Sequence, residues 1–135
     1  MGQQGDPKDE YMDAGENMRH WANIRFAQMT LFIAMTAGIL AGLFQSSSAL
    51  ASTARIVLKI GGLVVTLVFW LLDERAMAYW RHFRGRAVEL ENALGFQQHT
   101  RAPAAKILSS ANAIRVLYLS ILLFWIAALI WRSQF

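Results

Sequence analysis

The sequence predicts an all-α integral membrane protein with three transmembrane helices and additional amphipathic helices on the cytoplasmic side. The chain is 56% hydrophobic and only 16% charged, whereas soluble domains carry about 25% charged residues. Three long apolar runs lie at 26–44, 56–72 and 116–131, and they predict spans at about 26–44, 56–72 and 113–131. A soluble helical bundle is the alternative, but its helices would show a polar stripe that these runs lack.

The first run, 26–44, contains no charged residue and would extend about 28 Å as a helix, close to the roughly 30 Å hydrocarbon core of a bilayer. Residues 48–52, with four small residues around Leu50, resemble a signal-peptide cleavage site. However, the run is longer than a signal peptide's apolar core and follows an acidic leader, so we expect an uncleaved span. The other two runs are shorter, but Lys59, Arg115 and Arg132 can extend their charged ends to the interface.

Ten of the 13 Lys and Arg residues lie either before the first run or between the second and third runs. The positive-inside rule places such residues in the cytoplasm. We therefore expect a multi-pass protein of the bacterial inner membrane, with the N-terminus in the cytoplasm and the C-terminus in the periplasm. The net charge of +4 is explained by this topology, so no nucleic-acid partner is predicted.

The segments outside the runs predict two cytoplasmic helices. Residues 1–8 are polar and are expected to be disordered, which leaves 9–135 as a single membrane domain. Residues 9–25 can form a short amphipathic helix that lies on the cytoplasmic surface before it turns into the first span. Residues 73–94 follow the second run without a Gly or Pro at the junction, and Gly95 is the residue type that ends a helix in the left-handed conformation.

The helix predicted at 73–94 has a regular apolar seam. Its apolar residues alternate at spacings of four and three, as in a packed helix pair. Two partners remain open for this seam: the N-terminal helix of the same chain, or a copy of the protein. The seam residues are Ala76, Trp80, Phe83, Ala87, Leu90 and Leu94.

Helix association is the property that the runs themselves indicate. Small residues at spacings of four let transmembrane helices approach closely, and here they are Ala34, Gly38 and Gly42 in the first run, with Gly61 and Gly62 in the second. Polar residues in the runs are candidates for a pore lining or for interhelical hydrogen bonds, namely Gln28, Thr36, Lys59, Thr66 and Ser120. We expect Arg81, Arg84 and Arg86 to contact lipid head groups.

The sequence lacks the patterns of a catalytic or metal site. It has no cysteine, and no histidine or carboxylate lies inside an apolar run. His82 and His99 stand on either side of Gly95 without a nearby carboxylate cluster, so we interpret them as separate surface histidines. We therefore predict no metal, no cofactor and no enzymatic activity.

Trp80, Arg86-Ala87 and Glu89-Leu90 form a W-x5-R-A-x-E-L pattern on a helix that follows two spans. This arrangement resembles the SLATT-type membrane effectors of bacterial conflict systems, over roughly residues 9–94. The resemblance implies an N-terminal helix, two spans and a following helix, in a protein that assembles in the membrane and permeabilises it when a sensor partner detects infection. The third predicted span lies outside the part that is similar.

Together these observations predict an inner-membrane protein that self-associates through its helices, as a pore-forming or membrane-perturbing effector. Its partners would be the lipid bilayer and copies of itself. The alternative is an accessory subunit of a respiratory, photosynthetic or transport complex, since small-residue helix faces pack equally well against foreign helices.

Overall fold

The computed structural model describes residues 6–45, 52–101 and 110–131, and within these ranges the chain forms helices and no strand. The helices are α1 (Pro7–Gln45), α2 (Ser52–Leu94) and α3 (Ser110–Ile130). Each is long and apolar enough to cross a membrane. The prediction of an all-α chain with three candidate spans is confirmed at this level.

α1 is one continuous helix, and the predicted turn between a surface helix and the first span is wrong. No Pro lies between Pro7 and the end of the helix to interrupt it. The helix also begins earlier than the predicted residue 9. Asp6 caps it, with Oδ1 accepting a 3.0 Å hydrogen bond from the Lys8 N–H, and Pro7 takes the first helical position, where its missing N–H is not needed.

α2 continues without a break from the second apolar run to Leu94, as predicted. Gly95 has φ = 76°, which a residue with a side chain rarely adopts. The N–H groups of Gly95 and Phe96 both donate to the Glu91 carbonyl, at 2.9 and 3.1 Å. This pattern closes the helix end, and the predicted role of Gly95 is confirmed.

Several predictions fall on residues that the structure does not describe. Residues 1–5 of the segment 1–8, which we predicted to be disordered, lie outside the described residues. For Pro7 and Lys8 the prediction is wrong, because both belong to α1. Most of the candidate cleavage site at 48–52 also lies outside the described residues, which leave out 46–51. α3 begins at Ser110, slightly before the predicted start of the third span at 113.

The helices are arranged antiparallel in sequence order, with α2 in the centre. α1 contacts α2 along almost its whole length, from Tyr11 beside Glu91 to Gly42 beside Leu58. Hydrogen bonds join α3 to α2 at Lys59 and at Glu74. The structure therefore has two parts: a three-helix unit (26–45, 52–74 and α3), and a two-helix stalk (7–24 with 75–94), whose α2 segment is about 30 Å long.

The core of the three-helix unit takes one aromatic residue from each helix. Phe32, Phe69 and Tyr118 are buried together. The ring centroid of Phe32 lies 5.7 Å from that of Phe69 and 4.8 Å from that of Tyr118. These tilted ring pairs are favourable aromatic geometries, and they link α1 to α3 across the face of α2.

Gly62 allows α3 to approach α2. The Trp125 indole is fully buried and lies directly over Gly62, where an added Cβ would overlap with the ring. The neighbouring Gly61 has no such atom within 4 Å. Of the two glycines, only Gly62 is therefore required to be small by the packing of α3 on α2.

We predict that Gly62→Ala destabilises the protein, because Trp125 or the α3 backbone must move to accommodate the methyl group. Overpacking of this kind costs about 1–3 kcal/mol. Gly61→Ala is the matched control, since it adds the same methyl group in open space. Thermal unfolding in detergent, followed by circular dichroism, should show a lower midpoint for Gly62→Ala only. Equal midpoints for the two variants would contradict this packing.

Candidate functional site

A buried ion pair joins α1 to α2 at the junction between the three-helix unit and the stalk. Arg25 donates from Nε and Nη2 to the two carboxylate oxygens of Asp73, at 2.8 and 3.1 Å. Asp73 is only 5% exposed. A two-point arginine–carboxylate contact fixes orientation as well as charge, so this pair sets the position of α1 along α2.

A second ion pair joins α2 to α3 at the same level. Arg115 donates to both oxygens of Glu74, at 2.5 and 2.7 Å. Since Asp73 and Glu74 are consecutive, their side chains leave α2 about 100° apart, and each reaches a different neighbouring helix. These four residues, the ionic belt, tie all three helices together at one height.

Lys59 has a structural role at the opposite end of the three-helix unit. It is buried, and its Nζ donates a 2.7 Å hydrogen bond to the carbonyl of Ala128, in the last turn of α3. Carbonyls at a helix C-terminus lack intrahelical partners and carry partial negative charge. Lys59 therefore caps α3, which is the second of the two roles, a pore lining or an interhelical hydrogen bond, that the sequence suggested for it.

The seam of the stalk packs on α1 of the same chain. Ala87 lies in one cluster with Ala14 and Met18 of α1. Of the two partners that the sequence left open, α1 of the same chain is the one on which these seam residues pack. Of the predicted seam residues, Ala76, Ala87 and Leu90 are buried and Trp80, Phe83 and Leu94 are half-buried.

Glu91 fastens the segment after α2 to the stalk. Its buried carboxylate accepts hydrogen bonds from the Tyr11 hydroxyl at 3.0 Å, the His99 N–H at 2.7 Å, and the N–H and hydroxyl of Thr100 at 2.9 and 2.6 Å. Burial raises the pKa of Glu91, but these hydrogen bonds outweigh it and lower the pKa to about 2. The carboxylate is therefore ionised throughout the physiological pH range.

Two of the three arginines expected at lipid head groups make contacts within the stalk. Arg86 pairs with Glu10 of α1 at 2.7 Å and with Glu89 at 2.9 Å. Arg84 lies over the ring of Trp80, with its Cζ 5.6 Å from the centroid. Arg81 is exposed, and it is the arginine most available to another molecule.

The predicted helix-packing residues divide into an inner and an outer set. Gly42 faces Leu58, whose Cδ1 would lie 4.0 Å from an added Cβ, and Gly62 faces Trp125. In contrast, Ala34 and Gly38 are exposed, and nothing lies within 4 Å of a Cβ built on Gly38. Gly61 also has open space beside it.

Most of the predicted polar residues face the interior. Thr36, Lys59 and Thr66 are buried, and the Thr66 hydroxyl donates to the carbonyl of Gly62 at 2.8 Å. Gln28 is half-buried and Ser120 is exposed. A path between copies of the protein would therefore meet Ser120 but not the three buried side chains.

The side of α1 that points away from α2 is exposed along the whole helix. Its residues follow the spacings of three and four that place side chains on one helix face, and we call this set the outer face of α1. It is acidic in the stalk, polar in the middle and composed mainly of small residues in the apolar part. The set is Asp9, Asp13, Glu16, His20, Asn23, Ala27, Thr30, Ala34, Gly38 and Ala41, all of which are exposed.

An open groove of about 540 Å³ lies in the stalk, between the first turns of α1, Trp80 and the segment that follows α2. Its walls include Tyr11 and His99, whose rings lie 6.0 Å apart. Within the described residues, no group of three His, Cys, Asp or Glu side chains is placed to hold a metal ion. The groove thus provides aromatic surface with a few polar groups but no metal centre in the described part of the chain.

Sequence reasoning missed the ionic belt and the role of Glu91. A signal for the belt was present, because Arg25 precedes the first run, Asp73-Glu74 follows the second and Arg115 precedes the third. In three antiparallel spans these positions meet at one membrane face. Glu91 gave no such signal, since its partners come from α1 and from a segment without regular structure.

Comparison with protein-family models, with curated proteins and with solved structures gave no match. The similarity to SLATT-type effectors therefore depends on the sequence pattern alone. In the structure, the Ala of that pattern, Ala87, is fully buried against α1, and its Arg and Glu, Arg86 and Glu89, pair with each other.

We predict that Asp73→Ala lowers the free energy of unfolding far more than Glu89→Ala does. Removing Asp73 leaves the Arg25 guanidinium without its partner in a protected site, which typically costs about 3–5 kcal/mol. Glu89→Ala removes an exposed pair and should leave the unfolding midpoint unchanged. Denaturant unfolding in detergent measures both variants, and the exchanged pair Arg25→Asp/Asp73→Arg should recover part of the loss. If the unfolding midpoints of Asp73→Ala and Glu89→Ala are equal, the ionic belt does not hold α1 on α2.

Proposed function

We propose that this chain is a non-enzymatic, multi-pass protein of the bacterial inner membrane that acts by assembling with copies of itself. In this proposal the stalk and the ionic belt lie on the cytoplasmic side of the membrane, in accordance with the distribution of Lys and Arg. The assembly would serve as an effector that disturbs the bilayer, as the SLATT-type resemblance implies.

The exposed small residues of α1 are the observation that carries this proposal. In lipid there is no hydrophobic effect between helices, so close backbone approach along small residues supplies much of the association energy. Ala34 and Gly38 are not used for packing within the chain. A face of this kind offers little surface to lipid chains, whereas the backbone of another helix can approach it closely.

The interior positions of the polar residues limit how such an assembly could conduct ions. Thr36, Lys59 and Thr66 are buried within the three-helix unit, and Lys59 and Thr66 already donate hydrogen bonds to backbone carbonyls there. A conducting path between copies would have to use exposed groups such as Thr30 and Ser120. Disturbance of lipid packing is therefore the form of the proposal that agrees best with the geometry.

The rival is an accessory subunit of a larger membrane complex, in which a foreign helix would cover the same face of α1. The two possibilities differ in what is recovered from native membranes. Copies of this chain alone support the effector proposal, and stoichiometric foreign subunits support the rival. Flux of a dye or ion from liposomes then tests whether the assembled protein disturbs the bilayer.

We predict that Ala34→Leu weakens self-association by at least about tenfold, because a large side chain prevents close approach on the outer face of α1. Ala127→Leu is the matched control, since Ala127 is also an exposed alanine in an apolar helix, on α3. Single-molecule counting of subunits in native-lipid nanodiscs should show oligomers for the unaltered protein and for Ala127→Leu.

Two results would contradict the proposal. If the unaltered protein is monomeric in native lipid, it does not act by self-assembly. If Ala34→Leu and Ala127→Leu associate equally well, assembly does not use the outer face of α1.

A further inference from the structure

α2 also has an exposed face on the side away from α1. Its residues follow the same helical spacings, and we call them the outer face of α2. The face is apolar and bulky in the three-helix unit, and it carries arginines with small residues in the stalk. The set is Ile60, Val64, Leu67, Leu71, Arg75, Ala78, His82 and Gly85, with Arg81 beside His82, and all are exposed.

In the apolar part, the two outer faces have complementary shapes at the same height. Contacts between Phe32 and Phe69, and between Gly42 and Leu58, show which levels of α1 and α2 coincide. By this register Ala34 and Gly38 are level with the stretch from Gly62 to Leu67. Small residues on one face and branched residues on the other can pack as groove and ridge.

In the stalk, the two outer faces have opposite charge. Glu16 lies on the outer face of α1, and Arg81 lies on the exposed side of α2. By the same register Glu16 is level with Arg84 of α2, which is about 5 Å along the helix axis from Arg81, so the two side chains are within reach of each other between copies. Neither side chain makes a hydrogen bond within the described part of the chain, although Arg81 also acts electrostatically on Glu74. The charges are therefore available to another molecule.

We propose that the outer face of α1 in one copy docks on the outer face of α2 in the next copy, with Glu16 facing Arg81. An occupant that covers the whole of α1 must span the membrane and carry cations just outside it, and α2 of a second copy does both. This inference deepens the proposed self-assembly and depends on it, because it names the surfaces that meet.

The two outer faces point in opposite directions, since α1 and α2 pack on each other through their inner faces. When one face docks on the other, the assembly therefore keeps a free outer face of α1 at one end and a free outer face of α2 at the other end. Such a head-to-tail interface repeats until it closes as a ring or continues as a filament. It differs from a two-fold dimer, in which α1 would meet α1.

Paired charge reversals test this interface. The variants are Glu16→Lys and Arg81→Glu, each in the full chain reconstituted in nanodiscs or liposomes of native lipid. Each variant alone should associate about tenfold more weakly than the unaltered protein, because the change replaces an attraction of up to about 1 kcal/mol with a repulsion of similar size. An equal mixture of the two should recover association, because each reversed face then finds its complement. Helix content and unfolding midpoints of the separate variants check that the fold is retained.

The salt dependence of the unaltered protein is a second measurement, which requires no variant. Its association should weaken between about 50 mM and about 500 mM salt, because exposed charges are screened over this range. If the reversals associate like the unaltered protein, or if mixing them recovers nothing, the interface is wrong while self-assembly stands. If the unaltered protein is monomeric at all salt concentrations, this inference and the proposed function both fail.

Discussion

The ionic belt formed by Asp73 and Glu74 with their arginines is the constraint on which the arrangement of the three helices depends. Apolar side chains are equally well solvated by lipid and by other helices, so apolar surface alone does not fix how helices sit against each other in a bilayer. Two bidentate pairs from neighbouring residues fix α1 and α3 against α2 at one height. The aromatic cluster of Phe32, Phe69 and Tyr118, and the close contact at Gly62, then follow in register.

The fold was largely predictable because apolar run length and helical spacing are local properties. The three candidate spans, the continuation of the second run to Leu94 and the left-handed Gly95 could all be predicted from neighbouring residues. The predicted turn before the first span was wrong, because amphipathic character over 9–25 indicates which face is buried and does not indicate a bend. The buried face of that segment packs on the stalk part of α2 instead.

The candidate site was less predictable, because it depends on which helix each face meets. The spacing of Ala34, Gly38 and Gly42 shows that they lie near one face, but Gly42 contacts Leu58 while Gly38 is exposed. Likewise, Lys59 in an apolar run suggests either a pore lining or an interhelical hydrogen bond, and only the position of the α3 C-terminus shows that it caps that helix. Contacts between elements that are distant in sequence decide these roles, and periodicity carries no information about them.

Cysteine cross-linking inside the membrane tests the central claim most directly, and the natural absence of cysteine makes the chain a clean background. One copy would carry Ala34→Cys and the other Leu67→Cys, differently tagged and expressed together, followed by oxidation in native membranes. The account predicts a cross-linked pair that contains both tags, and little cross-linking when either variant is expressed alone. Efficient Ala34→Cys homodimers, or no mixed product at all, would contradict the docking of α1 on α2 of a second copy.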